Sequence, residues 1–125
     1  MHDEIQKEPE THGAPLRRFT DPAYVPLCAN LGEVRENIDR LDREIVALLA
    51  ERGRYVKDAA RFKADAFQVS APQRQQEVID KVKALAGEKG AYPEVVEAAY
   101  RALIAGFIAR EQQDHLGMVA VEAKA

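Results

Sequence analysis

The chain has 125 residues, of which 46% are apolar and 31% are charged, and its formal net charge is −3. This length suits a single domain, and the composition is typical of a folded globular protein rather than a disordered one. The small excess of acidic groups argues against nucleic acid as a partner, because it implies no strongly basic surface.

The first 28 residues contain four of the six prolines and little apolar periodicity, which predicts a flexible tail over 1–28. They hold no apolar stretch of the secretory kind, and no apolar run in the chain reaches the length of a membrane helix. We therefore expect no membrane binding. Cys28 is the only cysteine, so we expect no internal disulfide and a cytoplasmic location. No metal-ligand cluster or phosphate-binding loop is present, and we expect neither a metal nor a cofactor.

A helical repeat begins at Leu31 and continues to about Ala66. Its positions alternate steps of four and three residues, a heptad pattern typical of a helix packed lengthwise on other helices. They are Val34, Ile38, Leu41, Ile45, Leu48, Arg52, Tyr55, Ala59, Phe62 and Ala66. An unbroken helix of this extent would be about 54 Å long, which is too long for a compact monomer and predicts a homodimer. The alternative is a break near Gly53 that gives a monomeric bundle, although this glycine could instead mark close packing.

Two more helices follow the connection "ADAFQVSAPQR". Pro72 suits the first turn of the second helix, and Gly87 and Gly90 end it. Pro93 begins the third helix, predicted over roughly 93–115. Because no segment alternates like a strand, the predicted fold class is all-α, a three-helix chain with one long first helix, one short and one medium. The helical domain is predicted over 29–116, with a C-terminal tail over 117–125.

The third helix has an apolar series of its own, formed by Val96, Tyr100, Ile104 and Phe107 and followed by Glu111. The apolar series of the first and third helices thus each contain one charge, Arg52 in the first helix and Glu111 in the third. Either charge could be an exposed end of its series or half of a buried ion pair without a function. Lys63 lies 11 residues after Arg52, which places it about 20° around one helix and about 16 Å along it. Two cations in one partly buried space require an anion, and Glu111 could neutralise only one of them. The pattern therefore suggests an anionic ligand, such as a carboxylate bound by the arginine guanidinium.

The order and spacing of four stretches are similar to those of a known family. "LGEVRENIDRLDREIVALLAER", "RYVKDAARFK", "APQRQQEVI" and the third helix through Glu111 resemble the all-helical chorismate mutases. Within this family, the "YVK…RFK" and "AP.R" stretches are most similar to those of the isochorismate pyruvate lyase branch. The resemblance covers residues 31 to about 115. It implies an intertwined homodimer of three-helix chains, in which each active site takes one arginine from the partner's first helix.

The resemblance also implies roles for individual residues. Arg35 would be the arginine that the partner chain contributes, although on its own it could be an ordinary exposed helix residue. Arg52 would bind a substrate carboxylate, and Lys63 would contact the ether oxygen and a carboxylate. In "APQRQQEVI", Arg74 matches a family arginine, and Gln75 stands where mutases often have a glutamate that holds the ring hydroxyl. Glu111 stands where many members have a glutamine that faces the ether oxygen.

The implied reaction is the rearrangement of chorismate to prephenate, a step of aromatic amino acid biosynthesis that needs no cofactor. Its transition state places negative charge on the ether oxygen, so the enzyme must hold the substrate folded and stabilise that oxygen. Lys63 and Glu111 are the catalytic candidates. Glu111 can donate a hydrogen bond to the oxygen only when protonated, and we therefore expect activity to be favoured at acidic pH.

Three functions stay open at this point. The first is chorismate mutase, and the second is isochorismate pyruvate lyase, which would release salicylate and pyruvate from the same cationic pocket. The third is a helical dimerisation or regulatory module without catalysis, which the charge of Arg52 in an apolar series argues against. Tyr55, Phe62 and Phe107 are expected in the core, and His115 is expected to be a polar helix end.

Overall fold

A computed structural model describes residues 6–124 of the chain and confirms the all-α fold class. Its helices are α1 (Leu31–Ala59), α2 (Ala66–Ser70), α3 (Pro72–Lys89) and α4 (Pro93–Lys124). A single 3₁₀ turn (Ala60–Phe62) follows α1. No strand occurs between residues 6 and 124.

The start of α1 is fixed by side-chain caps. The side chain of Asn30 accepts a hydrogen bond from the backbone N–H of Glu33 at 2.9 Å, and the Glu33 carboxylate accepts one from the N–H of Ala29 at 3.0 Å. These bonds satisfy N–H groups that have no partner within the helix. The N–H of Gly32 donates to the carbonyl of Thr11 at 2.7 Å, which ties part of the preceding segment to this helix end.

The first helix continues through Gly53 but ends earlier than the repeat predicts. It contains 29 residues, so the prediction of a helix reaching Ala66 is wrong. The chain instead tightens into the 3₁₀ turn, and Lys63 takes an extended conformation with φ −103° and ψ 132°. Tyr55 and Phe62 are 71% and 75% exposed, so their assignment to the core is also wrong.

The short helix α2 lies inside the predicted connection. The side chain of Asp65 accepts from the N–H of Gln68 at 2.9 Å, and the side chain of Gln68 accepts from the N–H of Ala64 at 2.6 Å. This reciprocal cap favours a new helix immediately after Lys63. The helix ends at Ala71, which has the left-handed values φ 43° and ψ 63°, and Pro72 then begins α3.

Helices α3 and α4 pack against each other. The buried side chains of α3 are Ile79, Val82 and Ala86, and Ile104 is the buried apolar residue of α4. Gly90 ends α3 with φ 72°, where its N–H donates to the last carbonyls of the helix. Across the pair, Lys83 Nζ lies 3.1 Å from a carboxylate oxygen of Glu97.

The third long helix is longer than predicted. It has 32 residues and continues to Lys124, so residues predicted as a C-terminal tail are helical up to that point. The sequence after His115 contains no proline, and Gly117 alone costs only about 1 kcal/mol relative to alanine. The helix therefore has no strong reason to stop at 115.

The chain divides into two compact units, with the boundary between Leu49 and Ala50. In the first unit, the predicted apolar series of α1 is present but largely uncovered. Its exposed members are Val34, Ile38, Leu41, Ile45 and Leu48. In the second unit, the last part of α1 is accompanied by α2, α3 and α4. Among the described residues, no helix is both long enough and apolar enough to cross a bilayer.

Candidate active site

The second unit contains a cleft of about 310 Å³, a volume that suits a small-molecule ligand. Its wall combines apolar side chains with a few charged and amide groups. The lining residues are Arg52, Tyr55, Val56, Ala59, Lys63, Val69, Ser70, Ala71, Arg74, Gln75, Val78, Ile104, Phe107, Ile108 and Glu111. Arg52, Lys63, Gln75 and Glu111, all candidates from the sequence, thus lie around one space.

Lys63 and Glu111 form an ion pair in this cleft. The distance from Lys63 Nζ to Glu111 Oε2 is 3.0 Å, and the lysine donates the hydrogen bond. Glu111 is 4% exposed, and its burial is compatible with a charge because the lysine compensates it. Lys63 reaches the cleft from the extended backbone after α1, so the prediction that it shares a helix face with Arg52 is wrong. The turn at Ala60–Phe62 changes its direction.

Arg52 packs on the ring of Phe107, and Gly53 leaves the space that this ring occupies. Its guanidinium carbon lies 5.0 Å from the centre of the Phe107 ring, within the range of a cation–π contact. The neighbouring Gly53 allows this arrangement, because a Cβ at that position would lie 3.1 Å from Phe107 Cε1. Gly53 therefore marks close packing of α1 and α4 and not a break in the helix.

Gln75 has a structural bond as well as a position in the cleft. Its side-chain NH₂ donates to the carbonyl of Ser70 at 2.6 Å, at the point where α2 ends. A carboxylate in the same place would bring two acceptors together, which explains in physical terms why an amide suits this chain. The amide oxygen of Gln75 is not used in this bond and can accept from a ligand hydroxyl.

Arg35 lies on α1 in the first unit, where its side chain is exposed. Its predicted role depends on a partner chain and stays a prediction. Arg74 lines the cleft and lies 3.9 Å from Glu77 in an exposed pair.

Sequence reasoning missed two residues next to the site. His115, expected to be a polar helix end, is 7% exposed, and its Nε2 lies 2.7 Å from the carbonyl oxygen of Lys63. Gln112 donates to the carbonyl of Ala66 at 2.9 Å. His115 could have been found from its spacing, because it follows Glu111 by four residues and lies on the same helix face.

The charges of the cleft favour an anion. Arg52, Lys63 and Arg74 contribute three cationic groups, whereas Glu111 is the carboxylate in the wall. Within residues 6–124, no carboxylate is paired with Arg52, so its guanidinium is available for a ligand. Arginine forks bind carboxylates in a bidentate way, so the cleft suits a small carboxylate ligand with an apolar body.

Comparison with known proteins agrees with this chemistry. The family model of chorismate mutase type II matches residues 34–112, more than half of the chain. An isochorismate pyruvate lyase of Pseudomonas aeruginosa is 37% identical over 84 residues, which are 67% of this chain and 83% of that protein. A bifunctional chorismate mutase/prephenate dehydratase of Aquifex aeolicus is 33% identical over 87 residues, 66% of this chain but 24% of that protein.

A chorismate mutase of Methanocaldococcus jannaschii is 34% identical over 59 residues, which are 46% of this chain and 60% of that protein. The matched family region includes the sequence candidates Arg35, Arg52, Lys63, Gln75 and Glu111. The extent of the family match and the coverage of the lyase relative are sufficient to assign the family. The chain belongs to the chorismate mutase type II family.

Proposed function

We propose that the chain is an isomerase that rearranges chorismate to prephenate in the cleft of its second unit. The observation that carries this proposal is the arrangement of Arg52 and the Lys63–Glu111 pair around one space of about 310 Å³. Chorismate carries two carboxylates on a small apolar ring system, which matches the cationic groups and the apolar wall. The family assignment supports the same reaction.

Catalysis in this site is electrostatic. As the C–O bond of the substrate breaks, negative charge develops on the ether oxygen, and a fixed cation close to it lowers the barrier. Lys63 is the group for this role, because the bond to Glu111 holds its ammonium in the cleft while other N–H bonds of the ammonium stay available. Arg52 would hold a carboxylate so that the two reacting carbons stay close.

Glu111 has two tasks in this proposal. Ionised, it fixes the ammonium of Lys63 but would repel the charge that develops on the ether oxygen. Protonated, it could donate a hydrogen bond to that oxygen. Its position beside Lys63, with 4% of its surface exposed, supports a role near the reacting atoms.

We also propose that the chain acts as a homodimer to which each partner contributes Arg35. The uncovered apolar series of α1 supports this, because five large side chains would otherwise remain in contact with water. Burying their exposed parts would contribute roughly 1 kcal/mol for each side chain. Arg35 lies on the same helix, so pairing through α1 would bring it near the partner chain. A cytoplasmic location remains part of the proposal.

A parallel assay with chorismate and isochorismate tests the activity. We expect loss of chorismate absorbance and formation of prephenate, and we expect Arg52→Ala to abolish both. Arg54→Ala, which removes the same charge from an exposed position two residues later, is the matched control and should stay active. The absence of any product with the wild-type chain would contradict the proposal and favour a non-catalytic helical module.

The isochorismate pyruvate lyase reaction is the second candidate. It is favoured by the lyase relative, of which this chain covers 83%. The same cations could hold isochorismate, whose hydroxyl lies elsewhere on the ring, and Gln75 is the group that could discriminate between the two substrates. Salicylate formed from isochorismate at a much higher kcat/KM than prephenate from chorismate would replace the mutase proposal with this one.

A mixture of two inactive variants tests the contribution of Arg35. Arg35→Ala and Arg52→Ala remove residues that the proposal places in the same site on different chains. When the two variants are refolded together in equal amounts, half of the dimers should contain one chain of each kind. Each mixed dimer would hold one intact site out of two, so the mixture should recover about a quarter of the wild-type activity. If the mixture is as inactive as the separate variants, Arg35 does not act across the dimer.

A further inference from the structure

Lys63 lies outside any helix, and this makes its orientation depend on neighbouring groups. Its backbone is extended, between the 3₁₀ turn and the cap of α2. Its own N–H donates to the carbonyl of Ala60 at 3.3 Å, which is a long hydrogen bond. Helical hydrogen bonds therefore do not determine where the side chain points.

One turn of α4 holds Lys63 at both ends. Glu111 accepts from its ammonium at 3.0 Å, and His115, four residues later, lies 2.7 Å from its carbonyl oxygen. Since a carbonyl can only accept, Nε2 of His115 carries the hydrogen in this bond. Because the histidine is only 7% exposed, water has little access to the Lys63 carbonyl and cannot easily replace this hydrogen bond.

The segment after Lys63 is fixed to the same helix. Gln112 donates to the carbonyl of Ala66 at 2.9 Å and lies 3.3 Å from the hydroxyl of Ser70. The same turn of α4 thus holds the segment from Lys63 to Ser70, which contributes residues to the cleft wall. Of these bonds, only the one from His115 reaches the backbone of Lys63 itself.

We propose that His115 is a positioning residue for Lys63, and this inference rests on the proposed mutase function. The histidine touches no substrate atom; it fixes the backbone from which the lysine extends to the developing oxyanion. A displacement of about 1 Å in such a group can reduce the rate up to a hundredfold. Because the lysine acts mainly in the transition state, the loss belongs to kcat more than to KM.

Kinetics of substituted chains test the inference. His115→Leu removes the donor, and we expect kcat to fall about tenfold or more with a smaller change in KM. His115→Gln, whose amide can donate from a similar position, should recover much of the loss. In a Lys63→Met background, His115→Leu should cause no further loss, because the group it positions is absent.

Two controls separate this role from general stability and from the proposed function. Val82→Ala removes buried volume on α3 away from the cleft lining, and it should lower Tm without lowering kcat. A crystal structure of His115→Leu should show Lys63 Nζ displaced from Glu111, a readout that needs no activity. Unchanged kcat in His115→Leu, or an unchanged Lys63–Glu111 distance, would overturn the inference, whereas an inactive wild-type chain would overturn the proposed function alone.

Discussion

At the scale of single residues, the charges in the apolar series are explained by the cleft. Arg52 faces Phe107 and Glu111 holds Lys63, so neither charge lies in an apolar core without a partner. A buried ion pair seldom maximises folding stability, because apolar residues of similar volume would often stabilise the fold as much or more. The retention of these groups around one space therefore favours binding and catalysis over stability.

Glu111 gives the first prediction, which concerns the group that fixes Lys63. Glu111→Ala removes the acceptor that lies 3.0 Å from the Lys63 ammonium, so we expect kcat/KM to fall about a hundredfold. Glu111→Gln keeps an acceptor for Lys63 and adds an amide that can donate to the ether oxygen, so it should keep much more activity than Glu111→Ala. The measurement is kcat/KM of both variants and of the wild type in one buffer. Equal activity of the wild type and Glu111→Ala would contradict a role of Glu111 near the reacting atoms.

Gly53 gives the second prediction. An added Cβ would lie 3.1 Å from Phe107 Cε1, so Gly53→Ala must displace the ring that lies under the Arg52 guanidinium. We expect KM to rise about two- to tenfold. We expect little change in Tm, because the higher helix propensity of alanine, worth about 1 kcal/mol, offsets the destabilisation caused by the crowded Cβ. Steady-state kinetics and thermal unfolding measure the two effects separately.

Gly87→Ala is the matched control for this substitution. A Cβ at Gly87 meets nothing within 4 Å, so the variant should gain stability and keep its KM. An unchanged KM in Gly53→Ala would show that the position of Phe107 does not determine substrate binding.

At the scale of secondary-structure elements, local signals explain where the helices begin better than where they end. Asn30, Asp65 and Pro93 mark the starts of α1, α2 and α4, and each acts through a cap or a fixed φ. The apolar repeat continues through Phe62 and therefore predicts an end of α1 that is too late. The reciprocal cap between Asp65 and Gln68 competes with that repeat and prevails.

The pairing of α3 with α4 gives the third prediction. Hydrogen bonds from Arg101 and Lys83 lower the pKa of Glu97 from its ordinary value of 4.5. A lowered folded-state pKa contributes stability above the unfolded-state pKa, and this contribution disappears as pH falls through the folded-state value. Glu97→Gln should therefore be less stable than the wild type at pH 7, and the difference should shrink below pH 4.5 and vanish once the pH falls below the folded-state pKa of Glu97.

Urea unfolding at several pH values measures this difference. Glu88→Gln, which removes an exposed carboxylate near the end of α3, is the control for the change in net charge. An equal loss of stability in both variants at pH 7, or a difference that persists in acid, would show that the stability does not come from the hydrogen bonds of Glu97 with Arg101 and Lys83.

At the scale of the whole molecule, the exposed apolar series of α1 is the main feature that the isolated chain leaves unexplained. Ile38 and Ile45 are 50% and 51% exposed on a helix that has no buried residue in this chain. Contiguous apolar surface of this kind usually marks an interface. The proposed homodimer accounts for it and for the role of Arg35 together.

The fourth prediction follows from this surface. Ile45→Glu should convert a dimer into a monomer, because a carboxylate would be buried without a partner in the interface. Light scattering after size exclusion should then give the mass of one chain rather than two, with loss of activity. Arg43→Glu, an exposed change of charge two residues away, is the control. A wild-type chain that is already monomeric and active would contradict the homodimer.

Sequence patterns alone predict the all-α class, the three main helices and a shared space for Arg52, Lys63 and Glu111, which line one cleft in the structure. This was possible because apolar spacing, proline positions and charges in an apolar series are local properties of the chain. The sequence could not determine how Lys63 reaches Glu111, because the turn after α1 changes the direction of the lysine. Nor could it reveal that His115 holds the Lys63 backbone, since that bond joins residues 52 positions apart. Contacts of this kind depend on how α4 packs against the rest of the second unit, and local patterns in the sequence do not specify that packing.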